Sequence, residues 1–214
     1  MTVTAVISVL GAAAEYTLSA CAGILIAIGI MDKDDDSTVD KSRTADDINS
    51  DIDKGKDKAR ARLDNIAASG VLTQAKVKCK RCPAEMGVPD KETIDKEKIN
   101  VLYQSKITGN PVMDGWIEVW DFATVSFDGF QRASCLLQEA KGNYDRFFIS
   151  DTQIIKWWSG STGMVAQAIV QNAVVVATPP NELNWYFMQP MSYSFYSRLF
   201  ISMGLSMRIF YAPY

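Results

Sequence analysis

"CLLQEAKGNYDRFF" occupies residues 135–148, an apolar run that ends in Glu139, Ala140 and Lys141. On an extended chain residues i and i+2 share a face. Glu139 and Lys141 therefore project together, while Leu136 and Ala140 face the other way. A carboxylate and an ammonium set side by side on a buried strand have two readings. One is a structural ion pair. The other is a metal-dependent phosphodiesterase centre, and the residues upstream bear on the choice. "SFDGF" puts Asp128 at a distance that a hairpin would close, bringing it beside Glu139. Two carboxylates held that close repel each other unless a cation lies between them. With the backbone carbonyl of Ala140 they would form an oxygen site suited to Mg²⁺ or Mn²⁺. Lys141 would bring a compact ammonium to water and phosphate, to orient or deprotonate the water, with a pKa that burial can lower. Glu118, earlier in the chain, is the candidate third carboxylate. Burying two acids and a lysine without a function would cost stability.

The composition narrows the chemistry further. The chain has 214 residues, 48% of them hydrophobic, so a sizeable core is expected. It has no histidine, which excludes Ser-His-Asp and Cys-His catalysis and any histidine-bearing metal finger. Hydrolysis then falls to carboxylate, lysine, tyrosine, serine or cysteine chemistry. The net charge of −3 gives no global attraction to nucleic acid. Of the four cysteines only Cys79 and Cys82 are close in sequence, which predicts a local disulfide or two free thiols. Cys21 and Cys135 sit in apolar contexts that read as packing.

Three regions follow from charge and hydropathy. Residues 1–31 carry a single charge, Glu15, in a segment long enough to span a bilayer. A membrane helix, a helix covered by a carrier protein, and a helix packed on the domain are all consistent with it. Residues 32–75 read as a charged linker followed by a polar helix with Ile48, Ile52 and Leu63 as its apolar stripe and Gly70 near its end. Residues 76–214 read as the main domain, with Lys76, Lys78, Lys80 and Arg81 as a basic cluster at its start. In it, "WIEVWDFATVSFDGF" and "CLLQEAK" are expected strands, connected at "GFQRAS". "STGMVAQAIVQNAVVVA" is an expected helix closed by Pro179 and Pro180. A strand at "NELNWYFMQP", a helix at "MSYSFYSRLFISMG" and a last strand at "LSMRIFYAPY" complete an α/β or α+β pattern.

"FDGF", then "LLQEAKGNYDRFF", then a glutamine-bearing helix, then "LNWYFMQP", resemble the fifth family of restriction-endonuclease-fold polymorphic toxins. "CPAEMG", beginning at Cys82, resembles the segment that often precedes that core, so the likeness spans roughly residues 79–214. The resemblance implies a PD-(D/E)xK nuclease core with a mixed central sheet flanked by helices. Asp128 would match the first acid, Glu139 the second and Lys141 the lysine. Glu118 would match the acid of an earlier element, and Gln167 or else Gln171 the helix glutamine. Phe127 stands where the motif's name has proline. DNA is the expected substrate, with RNA as the alternative, and the family also implies a cognate immunity protein and delivery by a bacterial secretion system such as type VI into the cytoplasm of a target cell. Residues 1–31 resemble loading regions held by a chaperone or spike protein.

Lys156 and Tyr144 are candidate substrate contacts, and Phe147, Phe148, Trp157 and Trp158 are aromatics able to stack on bases. The competing reading is a non-enzymatic protein, either a membrane-inserting toxin or an interaction module, in which the Glu139–Lys141 pair is structural.

Overall fold

The computed structural model describes residues 43–70, 82–94 and 98–214. The expected apolar helix at 1–31, its membrane or carrier contacts, the basic cluster at 76–81 and both Cys21 and Cys79 lie outside the described residues.

Helix α1 (Ala45–Ser69) opens with a capping box. The Thr44 hydroxyl accepts from the Asp47 amide, and the Asp47 carboxylate accepts from the Thr44 amide. These bonds satisfy donors that a helix start leaves unpaired. Ile48, Ile52, Ala59, Leu63 and Ile66 form its buried stripe. The stripe lies against α3 (Gly160–Ala177). Gly55 is the point of closest approach, where an added Cβ would stand 2.9 Å from Val165 and from the Thr162 carbonyl. At the start of α3, Ser161 donates to the buried Asp51 carboxylate, which also pairs with Arg43. The helix read as a polar extension is therefore packed along the core helix and tied to its first turn.

The central sheet has the order β4–β5–β8–β9. β4 (Gly129–Gln131) runs antiparallel to β5 (Leu136–Lys141). β8 (Glu182–Phe187) and β9 (Arg208–Tyr211) continue it in parallel. α3 crosses from β5 to β8, as parallel neighbours require. A second sheet joins β1 (Val88–Thr93), β2 (Trp116–Phe122) and β3 (Val125–Phe127), all antiparallel. α2 (Lys98–Thr108) packs beside β5. A short pair, β6 (Phe148–Ser150) and β7 (Gln153–Ile154), precedes α3, and α4 (Pro190–Ser202) links β8 to β9. The architecture is α+β with a mixed central sheet flanked by helices. The core is aromatic-rich, with Trp185, Phe187, Tyr196 and Phe200 fully enclosed.

Cys82 is bonded to Cys135, 53 residues away, and not to its sequence neighbour Cys79. Cys135, read from sequence as packing, is thus a cross-link at the entry to β5. The turn Pro83–Met86 is also held by Asn181, which accepts from the Ala84 amide, and by the Trp120 indole, which donates to the Ala84 carbonyl. Closing a loop of this length removes about 4 kcal/mol of denatured-state entropy. Replacing both cysteines by serine is expected to lower Tm by roughly 10 °C, read by thermal unfolding with and without reductant. A Tm that does not respond to either change would show that the cross-link adds nothing.

Candidate active site

The site is built where β4, β5 and α3 meet. β4 pairs Gly129 with Gln138, so the residue before it, Asp128, is carried to the level of Glu139. Gly129 is needed for this approach, because a Cβ there would stand 2.7 Å from the Thr108 side chain on α2. Asp128 is buried, and its Oδ2 accepts from the Ala140 amide at 2.7 Å. The carboxylate takes the place of a strand partner at the point where β4 has ended. In an extended strand the N–H and C=O of one residue point to the same edge. The Ala140 carbonyl is therefore turned toward Asp128 as well.

Glu139 and Lys141 point from β5 toward α3, and both are buried. Lys141 Nζ lies 2.6 Å from Glu139 Oε1 and 2.7 Å from Gln167 Oε1. Gln167 Nε2 returns a hydrogen bond to the same Glu139 oxygen at 2.9 Å. One helical turn on, Gln171 Nε2 donates to Glu139 Oε2 at 2.7 Å, and the Trp185 indole on β8 donates to Gln171 Oε1 at 2.9 Å. The lysine ammonium also sits 4.6 Å from the centre of the Trp185 ring. Gln167 and Gln171 are i and i+4 on one face of α3, so both glutamines reach Glu139. Gln171 is fully enclosed, whereas Gln167 borders a cavity of about 460 Å³ together with Lys141.

Burial pushes the Lys141 ammonium toward neutrality. Glu139, Tyr144 and Asp128, with the hydrogen bond that Lys141 donates to Glu139, outweigh burial and hold its pKa above the ordinary lysine value. The sequence-based expectation of a lowered pKa is thus reversed, because burial came with two carboxylates. A pKa raised in the folded state gives stability that is complete below the unfolded value of about 10.4 and is lost as pH rises through the folded one. Between pH 6 and 9 neither Tm nor rate should change through Lys141. A lysine titration below about pH 10 in the rate profile would contradict this charge state.

The other candidates are placed as follows. Glu118 is half-buried on β2, opposite Lys91. Asn110 ties the Glu118 carbonyl to that of Asp128. The Glu118 carboxylate is not gathered with Asp128 and Glu139, since no group of three acids or thiols suited to a metal occurs among the described residues. Tyr144 borders the cavity, and Lys156 is exposed just before Trp157. Phe148 and Trp158 belong to the core, whereas Trp157 is 74% exposed. Sequence reading missed Asp145. Its carboxylate caps α4 by accepting from the Met191 and Ser192 amides at 3.0 and 2.7 Å. The signal was there in α4, which starts at Pro190 with no capping residue of its own.

Residues 100–190 match the family model described as restriction endonuclease fold toxin 5. That stretch is similar to the toxin family. The matched stretch runs from α2 through β8 and contains Asp128, Glu139, Lys141 and both glutamines. The restriction endonuclease fold toxin 5 match leaves α1, the Cys82 turn and β9 outside it. No curated protein matches the chain.

Proposed function

We propose that the domain is a metal-dependent nuclease toxin that hydrolyses DNA phosphodiester bonds in a target cell. The observation that carries this reading is the contact of Glu139 with Lys141 and Gln167, which both line the cavity, with the Asp128 carboxylate on the neighbouring amide. The donor set fits a hard divalent cation, Mg²⁺ or Mn²⁺. Asp128, Glu139 and the Ala140 carbonyl offer only oxygen, and Mg²⁺ usually retains several waters. Glu139 Oε1 is the oxygen that can be released to it, because its partner Gln167 borders the cavity while Gln171 is enclosed. When bound, the ion would supply charge stabilisation and a more acidic water.

The chain's own groups do the rest. Lys141, held as an ammonium, donates hydrogen bonds to the phosphate and orients the attacking water; its raised pKa disfavours a role as base. Water adds to phosphorus as the bond to the 3′ oxygen breaks; the water's proton passes to solvent and the 3′ oxygen takes one from solvent, leaving a 3′ hydroxyl and a 5′ phosphate. Gln171 and Trp185 fix the Glu139 carboxylate from behind. An immunity protein that covers the cavity would neutralise the toxin. The test is incubation of purified protein and Mg²⁺ with DNA and with RNA, followed by analysis of the ends. DNA fragments bearing 5′ phosphates are expected. Fragments from RNA alone would overturn the choice of substrate.

One observation favours a structural role for the pair. Both Glu139 oxygens and the Lys141 ammonium already have partners, so the network is satisfied as it stands. That reading predicts toxicity unchanged in a Glu139→Gln/Lys141→Met double variant. The nuclease reading predicts its loss.

A further inference from the structure

The cavity above Lys141 is acid-free, aromatic and cationic, and it is larger than the catalytic groups need. Its volume of about 460 Å³ falls within the range of small-molecule sites. None of its lining residues is aspartate or glutamate. Tyr144 and Phe147 form one wall. Arg146 lies on the rim with its guanidinium 4.6 Å from the centre of the Phe147 ring. Just outside, the exposed Trp157 ring meets Phe147 edge-on at 5.9 Å. The opposite wall is the first turn of α3, whose amides give it positive character.

That turn carries two glycines, each of which costs about 1 kcal/mol in a helix relative to alanine. Gly160 has a packing reason, since a Cβ there would stand 2.4 Å from the Trp158 indole nitrogen. Gly163 has none, for a Cβ there meets no atom within 4 Å. It is exposed, and the space it leaves is the cavity itself. A glycine without a packing reason beside a recess is expected where a ligand approaches the backbone closely.

We infer that this recess holds one unpaired nucleotide of the substrate, so that the domain acts on single-stranded nucleic acid in preference to duplex. The inference rests on the nuclease reading for its cleavage step but not for binding. Lys141 is only 6% exposed, so a scissile phosphate must descend into the recess to reach it. A recess of this size admits a nucleotide and excludes a duplex. The phosphate is met by Arg146 and the α3 amides, and the base by Tyr144; Phe147, stacked on Trp158 at 4.6 Å with the Arg146 guanidinium over its ring, holds that arginine at the rim. Trp157 provides a stacking surface for the next base. A paired base would first have to leave its stack, at a cost of a few kcal/mol.

The test is fluorescence anisotropy with a labelled 12-nucleotide DNA, single-stranded and as its duplex, using wild-type protein in EDTA so that no strand is cut. The single strand should bind at least about tenfold more tightly, the factor that 1.4 kcal/mol of unstacking would impose. Gly163→Leu should lose about tenfold in single-strand affinity, the size of one stacking contact, with Tm held or raised by the better helix former. Arg146→Ala, an exposed change, should weaken single-strand binding as well. Equal or tighter duplex binding, or wild-type affinity in both variants, would overturn the inference. Single-strand preference without cleavage of any nucleic acid in Mg²⁺ or Mn²⁺ would uphold the recess and remove the nuclease reading. Cleavage without that preference would do the reverse.

Discussion

Asp128→Asn is expected to cut DNA slower by on the order of a thousandfold, the upper end of what one preorganised group contributes, with an unchanged Tm. The separation of the two effects follows from geometry. Asp128 Oδ2 accepts a hydrogen bond from the Ala140 amide. An asparagine carbonyl can accept the same bond, so the end of β5 stays held. What is lost is the negative charge opposite Glu139 and one oxygen for a divalent cation. Cleavage rate and thermal unfolding of the same preparation check this. A variant that cuts at the wild-type rate would remove Asp128 from the chemistry. A variant with a sharply lowered Tm would show that the charge serves the fold.

The largest stability effect belongs to Lys141→Met. Removing the ammonium leaves Glu139 as a carboxylate that is 3% exposed and has lost its ion-pair partner. Breaking a buried pair on one side costs about 3–5 kcal/mol. In a domain of this size that lowers Tm by roughly 10 °C. The double variant Glu139→Gln/Lys141→Met should recover most of the loss, because an amide at 139 can still face Gln167 and Gln171 without an uncompensated charge. Urea unfolding of the two single variants and the double one measures the coupling. Additive losses would mean that the two groups do not sense each other, contrary to their 2.6 Å contact.

These two variants also explain what could be read from the sequence. The alternation in "CLLQEAK" and the spacing to Asp128 pointed to a hairpin, and β4 and β5 form one. The apolar run ending at Pro179 became α3, and "NELNWYF" became β8. The glutamine choice between 167 and 171 had no answer in sequence, because both lie on the face that meets Glu139. "WIEVWDFATVSFDGF" was read as one strand and holds β2, β3 and the first two residues of β4, so "GFQRAS", read as a connection, opens with a strand. Its reversal uses Ala123 and Thr124 at φ 55° and 61°, where Asn-Gly would have signalled a turn. The disulfide was misread because proximity in sequence favoured Cys79, whereas the fold brings Cys135 to Cys82. The Lys141 pKa was misjudged for a similar reason: burial was foreseen, but its two carboxylate neighbours were not weighed against it. Nothing in the periodicity announced the recess over Lys141, because its walls come from the turn after β5 and from α3.

The central claim is that Asp128 and Glu139 act through a divalent cation. The direct measurement is cleavage of supercoiled plasmid and single-stranded circular DNA by wild-type protein in Mg²⁺, in EDTA, and in EDTA followed by excess Mg²⁺. Cleavage in Mg²⁺, none in EDTA and full recovery on adding the metal back is the predicted result. Undiminished cleavage in EDTA would contradict it.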